Sequence, residues 1–152
     1  MEIKEIEDKE IKLDKKQYIV TVIYGLIILC FMIIGCVQEG GFGVVFFIFQ
    51  LLYALVIIIG IEDNNIILKG VGVLGAVVRL LLYFPVLIMF LMPGFLFYDT
   101  GVYTPLIWKK LLIFDVSVIT PLYCIFYIVY YIKLIKLRNK KAEIDNSNEE
   151  QK

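Results

Sequence analysis

The chain has 152 residues, of which 61% are hydrophobic and 14% aromatic, and its 15 basic residues balance its 15 acidic residues. Soluble domains contain about 45–50% apolar residues, so this composition is typical of an integral membrane protein. The zero net charge argues against nucleic acid as a partner. The absence of histidine excludes histidine-based acid–base catalysis, HExxH zinc sites and Ser-His-Asp triads. We therefore expect no enzymatic activity and no bound cofactor or metal.

Residues 1–16 form a charged tail in which acids and lysines alternate. This tail is unlike a secretory signal peptide, because it is rich in acids and the apolar stretch after it exceeds the usual h-region. Glu5 precedes Lys9, and Asp8 precedes Lys12, by four residues in the order that favours a helix. A short helix can therefore form before the first apolar stretch begins.

Four apolar windows follow within a predicted membrane domain over residues 17–132. A helix rising 1.5 Å per residue needs about 20 apolar residues to cross about 30 Å of hydrocarbon. The predicted spans cover approximately residues 17–38, 42–61, 71–92 and 111–132. We predict an all-α fold, an integral membrane four-helix bundle with antiparallel up-and-down spans.

The third connection differs from the first two, which are short. Pro93-Gly94 is typical of a turn, and several aromatic residues follow it before the fourth span. Aromatic rings favour the boundary between lipid and water. Residues 94–110 are therefore predicted to lie as an interfacial aromatic segment between helices 3 and 4, on the outer side.

Two polar residues fall within the second and third windows. Gln50 lies near the middle of its window, where its amide needs a partner on another helix. Arg79 lies in an apolar helix whose other residues outweigh the cost of about 2.5 to 3.5 kcal/mol for inserting one arginine. Two interpretations stay open for Arg79: an anchor that reaches back to the cytoplasmic interface, or a buried and paired residue.

The fourth helix carries most of the polar side chains. Asp115 lies near its start, where the helix dipole favours a carboxylate in contact with water; the alternative is a role in an ion or proton path. Arg79 is expected toward the inside, so we do not expect the two charges to pair directly. Pro121 frees a carbonyl group one turn earlier. Spacings of three and four predict one inward polar stripe, formed by Ser117, Thr120, Cys124, Tyr127 and Tyr131.

Small and polar residues on the other helices predict close contacts. Gly72 and Ala76 form a small-xxx-small pair that lets two helices approach. Thr21 and Tyr24, three residues apart on the first helix, can form a polar patch that faces the fourth helix.

Residues 133–152 form a second tail, which is basic and then acidic from Ala142 onward. Its acidic part has few apolar residues to bury, so we predict that the tail is largely disordered. Most lysines and arginines outside the spans lie in the two tails, which places both termini in the cytoplasm and the protein in the cell membrane. The basic residues expected to meet anionic lipid headgroups are Lys133, Lys136, Arg138, Lys140 and Lys141.

The sequence thus predicts a small multi-pass membrane protein, of bacterial origin if its richness in Ile, Lys and Asn reflects an AT-rich genome. The favoured hypothesis is a non-enzymatic accessory, assembly or immunity-type protein that acts by helix–helix association with a membrane-protein partner or with its own copies. The alternative is a small oligomeric transporter or channel, in which Arg79, Gln50, Asp115 and the stripe on the fourth helix line the path.

Overall fold

A computed structural model describes residues 2–37, 41–91 and 107–149, and all of them are helical except the turn at 63–65. Among these residues, three helices are followed by a C-terminal run, in which a π-helical turn joins two further helices without a break. Among the described residues, four helices are long and apolar enough to cross a membrane. The elements are α1 (Glu2–Val37), α2 (Gly41–Glu62), α3 (Ile66–Leu91), α4 (Ile107–Phe114), the π turn (Asp115–Ile119) and α5 (Thr120–Glu149).

Over the described residues, the first three predicted windows fall on α1, α2 and α3, and the fourth falls across α4, the π turn and α5. The helices extend into both charged tails. The predicted disorder after Ala142 differs from the structure, in which α5 continues through Glu149. Helical order persists there because the preceding turns are tied to α1 by the ion pairs described below. The interfacial segment predicted at 94–110 lies mostly outside the described residues, and α4 begins at Ile107 within it.

Two asparagines form the turn between α2 and α3. Asn64 has a φ of 49°, in the left-handed region that asparagine tolerates better than most residues. The Asn65 side chain accepts hydrogen bonds from the backbone N–H groups of Ile67, at 3.0 Å, and Leu68, at 3.3 Å. An N-cap of this kind stabilises a helix start by about 1 kcal/mol, so the turn fixes where α3 begins.

The π turn in the C-terminal run follows from Pro121. Proline has no N–H group and cannot donate to the carbonyl four residues earlier, which belongs to Ser117. The backbone N–H of Thr120 instead reaches the carbonyl oxygen of Asp115, five residues back. One residue is thereby inserted into the helical repeat, and the faces before and after it are rotated relative to a regular helix.

The long helices close a ring in which α1 contacts α2, α2 contacts α3, α3 contacts the C-terminal run, and that run contacts α1. The outside of the ring is apolar: Leu81 is 71% exposed and Phe49 is 63% exposed. Polar side chains lie inside with apolar ones such as Ile28 and Phe47, which reverses the usual pattern of a soluble bundle. The buried polar residues are Gln17, Thr21, Gln50, Lys69, Lys109, Asp115 and Thr120.

Candidate functional site

Four buried side chains from three helices form the main polar site, which we call the Asp115 cluster: Tyr24, Gln50, Asp115 and Thr120. The Gln50 amide nitrogen donates to Asp115 Oδ2, and the Tyr24 hydroxyl donates to Gln50 Oε1. Thr120 Oγ1 lies 2.9 Å from both Gln50 Oε1 and Asp115 Oδ1, and 3.2 Å from the Tyr24 hydroxyl. Each of the four is at most 3% exposed, so protein groups alone satisfy the carboxylate of Asp115.

Arg79 lies beside this cluster, near the middle of α3. Its Nη2 donates to the Phe49 carbonyl oxygen at 3.2 Å, and its Nη1 is 3.5 Å from the Tyr24 hydroxyl. The guanidinium carbon lies 3.7 Å from the centroid of the Tyr53 ring, which is a cation–π contact. Arg79 is thus half-buried in the middle of its helix and contacts groups of α1 and α2. Its link to Asp115 runs through Tyr24 and Gln50, so the two opposite charges share one network.

The π turn explains why Asp115 is inside the bundle. Because a π hydrogen bond joins residues five apart, Asp115 and Thr120 come to the same side of the helix. The sequence predicted Asp115 at the outer interface in contact with water, and the structure buries it completely. The same rotation turns Ser117 outward, where it is exposed and its hydroxyl donates to the Ile113 carbonyl oxygen at 2.5 Å. Ser117 is therefore not part of the inward stripe that regular helical spacing predicts.

A second polar site joins the start of α3 to α1 and α5. Lys69 is fully buried, and its Nζ lies 2.7 Å from Asp14 Oδ2 and 3.0 Å from Asn64 Oδ1. The Tyr130 hydroxyl donates to the other carboxylate oxygen of Asp14 at 2.5 Å. Sequence reasoning missed this site, because it assigned Asp14 to a tail and Lys69 to a loop. A buried pair of this kind is costly to break from one side, since the remaining charge stays uncompensated.

A column of tyrosine rings connects the two polar sites along the bundle. The rings of Tyr24 and Tyr123 stack with centroids 4.0 Å apart and planes 4° apart, and the column continues through Tyr127 to Tyr130 at 6.4 and 5.5 Å. The Tyr123 hydroxyl lies 2.9 Å from Thr21 Oγ1. The predicted patch of Thr21 and Tyr24 on α1 faces the C-terminal run. One of its partners is Tyr123, which is not a member of the predicted stripe.

Glycine at position 72 makes room for this column. A Cβ atom there would lie 2.7 Å from the Tyr127 hydroxyl oxygen, so only glycine lets the ring lie against α3. That hydroxyl donates to the Lys69 carbonyl oxygen at 3.0 Å. Cys124 is also fully buried, beside the column. The close approach predicted for Gly72 thus brings α3 against the tyrosines of α5.

Beyond the second site, α1 and α5 are joined by ion pairs. Arg138 lies 2.7 Å from Glu10 and also donates to Asn64 Oδ1 at 2.7 Å, while Lys141 donates to Glu7 at 2.6 Å. The hydrogen bond to Glu7 is the main reason that the pKa of Lys141 is raised. Arg138 and Lys141, which the sequence analysis expects at anionic lipid headgroups, thus form ion pairs with acids of α1.

Buried carboxylates, amides and hydroxyls inside an apolar shell allow two kinds of role. Fully satisfied networks fix one arrangement of the helices, and ionisable residues within membrane helices also serve as proton or ion sites. Among the described residues, no group of three side chains of His, Cys, Asp or Glu is arranged to hold a metal ion. The site is therefore built from hydrogen bonds and one nearby guanidinium group.

The described residues define an all-helical protein with four helices able to cross a membrane and a polar interior. Comparisons of the chain with protein-family models, with curated proteins and with solved structures found no match. Its function is accordingly inferred from the geometry.

Proposed function

We propose that the chain is an integral protein of the cell membrane, with four spans and with both termini in the cytoplasm. The apolar outer surface supports insertion, because exposed side chains such as Leu81 and Phe49 are favourable in lipid and unfavourable in water. The polar interior supports it as well, since polar groups away from water need partners within the protein. The excess of basic residues in the two tails supports the orientation.

The antiparallel order of the spans is supported by contacts that run in opposite directions along α1 and α5. Lys141 contacts Glu7, Tyr130 contacts Asp14, and Thr120 contacts Tyr24. The short turn at 63–65 supports the same order for α2 and α3.

Within the membrane, the protein works as a non-enzymatic accessory, assembly or immunity-type protein that associates with another membrane protein or with itself. One observation carries this proposal: apart from Gln17 Oε1, the buried polar side-chain atoms of the described residues have hydrogen-bond partners within the single chain. What the bundle presents to a neighbour is therefore apolar helix faces, which associate in lipid by close packing.

The cytoplasmic ends of α1 and α5 add a second surface for a partner. Both helices continue for about 15 residues beyond their apolar windows, which is about 20 Å at 1.5 Å per residue. The Glu10–Arg138 and Glu7–Lys141 pairs hold them together. They form a two-helix cytoplasmic projection, made of residues 2–16 and 133–149, whose charged side chains suit recognition by a protein in the cytoplasm.

Purification in a mild detergent followed by mass spectrometry tests this proposal. We expect a stoichiometric partner protein or a stable complex of several copies. The proposal fails if the full-length chain purifies as a monodisperse monomer without any other protein in stoichiometric amount.

Photo-crosslinking then locates the contact. A photoreactive amino acid replaces Phe49 on α2, Leu81 on α3 or Leu122 on α5, which are all exposed on different helices. We expect a crosslinked protein complex of one defined mass from Phe49 or Leu81. From Leu122 we expect only adducts with lipid. Lipid adducts alone from all three positions would contradict association through these faces.

A second candidate function rests on the complete burial of Asp115. Its carboxylate is hydrogen-bonded to Gln50 and Thr120, and Arg79 is connected to it through Tyr24 and Gln50. This arrangement suits binding and release of a proton or a small cation. In this case the protein is a small oligomeric transporter or channel, and the Asp115 cluster lies on its path.

Flux measurements in liposomes test the second candidate. Asp115→Asn and Arg79→Ala are each expected to change proton or cation flux at least fivefold. Ser117→Ala is the matched control, since Ser117 lies in the same π turn but faces outward. Absence of flux above that of protein-free liposomes, for protons and for every cation tested, would refute conduction.

A further inference from the structure

Three cavities follow one another along the outer side of the contact between α1 and α5, which we call the α1–α5 seam. The first cavity lies between the other two, and its walls share Leu13 and Lys133 with the cavity on the cytoplasmic side. The first and the membrane-side cavity share Phe126. Because neighbouring cavities share wall residues, the three cavities form one row along the seam, and each opens to the outside of the bundle.

The cytoplasmic end of the seam is basic. The charged side chains in the walls of its two cavities are all lysines, namely Lys9, Lys16, Lys133 and Lys136. Lys9 forms an ion pair with Glu5, at 2.7 Å. The other three lysines leave an excess of positive charge at this end of the seam. Lysines in this position attract anionic headgroups. Arg138 and Lys141, by contrast, are bonded to acids of α1.

A buried amide adds a second feature to this end. Gln17 lines the first cavity and is 1% exposed. Its nitrogen donates to Thr21 Oγ1 at 3.3 Å, whereas its Oε1 is, among the described residues, the buried side-chain oxygen that lacks a hydrogen-bond partner. An acceptor without a donor is costly in a buried position. Since Gln17 lines the cavity, a rotation of its side chain toward the cavity would let a hydroxyl group on a bound headgroup supply the missing donor.

The membrane side of the seam is apolar. Its cavity of about 230 Å³ is walled almost entirely by hydrocarbon from the two helices. Lys16 stands where the basic and apolar parts meet, with its Nζ 5.9 Å from the centre of the Phe126 ring. From Lys16 to Ile27 the seam follows α1 for about 16 Å at 1.5 Å per residue, which is about half of a 30 Å hydrocarbon core. This length matches one leaflet.

We propose that the α1–α5 seam binds one anionic phospholipid of the cytoplasmic leaflet, with a hydroxyl-bearing headgroup of the phosphatidylglycerol type. The phosphate lies among Lys16, Lys133 and Lys136, a headgroup hydroxyl donates to Gln17, and an acyl chain follows the membrane-side cavity past Ile23. A free phosphate or an acidic peptide would use only the basic end. The proposal rests on the membrane insertion proposed above.

Native mass spectrometry of the full-length protein in detergent tests the site, with phosphatidylglycerol and phosphatidylcholine of the same acyl chains as the probes. We expect phosphatidylglycerol to bind at least tenfold more tightly, with one lipid per chain. Lys16→Gln/Lys133→Gln should reduce this preference to within twofold. The matched control is Lys12→Gln/Lys140→Gln, which removes the same charge from exposed positions outside the seam, and it should keep the preference.

The apolar part is tested separately. Ile23→Trp fills the membrane-side cavity, so it should weaken binding of long-chain phosphatidylglycerol at least fivefold, and soluble glycerol phosphate at millimolar concentration should not compete. Equal binding of the two lipids, equal losses in both lysine pairs, or full competition by glycerol phosphate would each overturn the proposal.

Alkaline carbonate extraction of cell membranes separates this proposal from the one on which it rests. Protein that stays in the membrane fraction but shows no lipid preference refutes the lipid site alone. Protein released into the soluble fraction refutes membrane insertion, and with it the lipid site.

Discussion

Gln50→Leu is the sharpest test of whether the Asp115 cluster holds the bundle together. Gln50 exchanges hydrogen bonds with Tyr24, Asp115 and Thr120, and leucine keeps a similar volume without any of them. Hydrogen bonds between membrane helices average about 0.6 kcal/mol and reach about 1.7. Three such bonds give an expected loss of about 2 kcal/mol in the free energy of unfolding, and at most about 5 kcal/mol.

A double-mutant cycle with Asp115→Leu isolates the central contact. Each single change removes the bond between Gln50 and Asp115, and the double variant loses it only once. The loss of unfolding free energy in the double variant should therefore be smaller than the sum of the two single losses. The expected difference is about 0.6 to 1.7 kcal/mol, the value of one such bond. This difference will be greater if the buried carboxylate is costly without its amide partner.

The assay is equilibrium unfolding by SDS in mixed micelles, followed by far-UV circular dichroism. Leu52→Ala is the control on the same helix, because Leu52 is 52% exposed and substitutions at outer positions change stability by about 0.5 kcal/mol or less. A loss for Gln50→Leu no greater than that of the control, or strict additivity with Asp115→Leu, would refute the idea that the cluster stabilises the bundle.

Three further predictions concern other parts of the molecule. Gly72→Val places carbon atoms where the Tyr127 hydroxyl lies, so overpacking should cost about 1–3 kcal/mol in the same SDS assay; a loss under 0.5 kcal/mol would contradict the close approach. Glu7→Lys should lower the melting temperature by removing the pair with Lys141, and adding Lys141→Glu should restore it, which a role unrelated to the pair would not produce. A cysteine at Asn64, with the native cysteines replaced, should react with a membrane-impermeant maleimide only after the cytoplasmic side is exposed, and labelling of intact cells would reverse the proposed orientation.

The helices could be predicted from the sequence because a span needs an uninterrupted apolar window of defined length. The windows over α1 and α2 met this requirement, and their described residues lie on those helices in the structure, whereas the window over α3 is interrupted by Arg79. Gln50 could be singled out for a related reason, since an amide in the middle of such a window needs a partner. Its actual partners come from two other helices, and helical spacing alone does not specify them.

The burial of Asp115 could not be predicted from helical spacing, because the π turn changes the spacing just where Asp115 lies. Pro121 was the available signal: a proline frees a carbonyl group, and an inserted residue is one way for the helix to adapt. A regular helix places Ser117 on the inward face, whereas the rotated one places Asp115 there. The wrong prediction of an outward Asp115 and the wrong prediction of an inward Ser117 thus have one cause, the π turn.

The second polar site was missed for a different reason. Lysines and arginines near the ends of the spans predict the orientation, and the i,i+4 pairs within residues 1–16 predict a short local helix; neither pattern involves the acids Glu7, Glu10 and Asp14. Those acids continue the same helix face as Tyr24, at steps of three and four, through Glu7, Glu10, Asp14, Gln17, Thr21 and Tyr24. The helical tail follows from this pattern, since the face finds its partners on α5, more than 100 residues away.

The helices α1 and α5 therefore carry two adjoining surfaces along the same length. Their inner faces hold the acids and tyrosines that bond across the bundle, and beside these faces lies the seam that begins with lysines and ends in hydrocarbon. Gln17, Tyr24 and Tyr130 border both surfaces. A change on the inner face alters the stability of the bundle, whereas Lys16 or Ile23 can change with the interior intact. The helices α2 and α3 bury Gln50 and Lys69 and turn apolar side chains outward. These are the faces through which the proposed association with a protein partner would occur, because the α1–α5 seam is the site proposed for lipid.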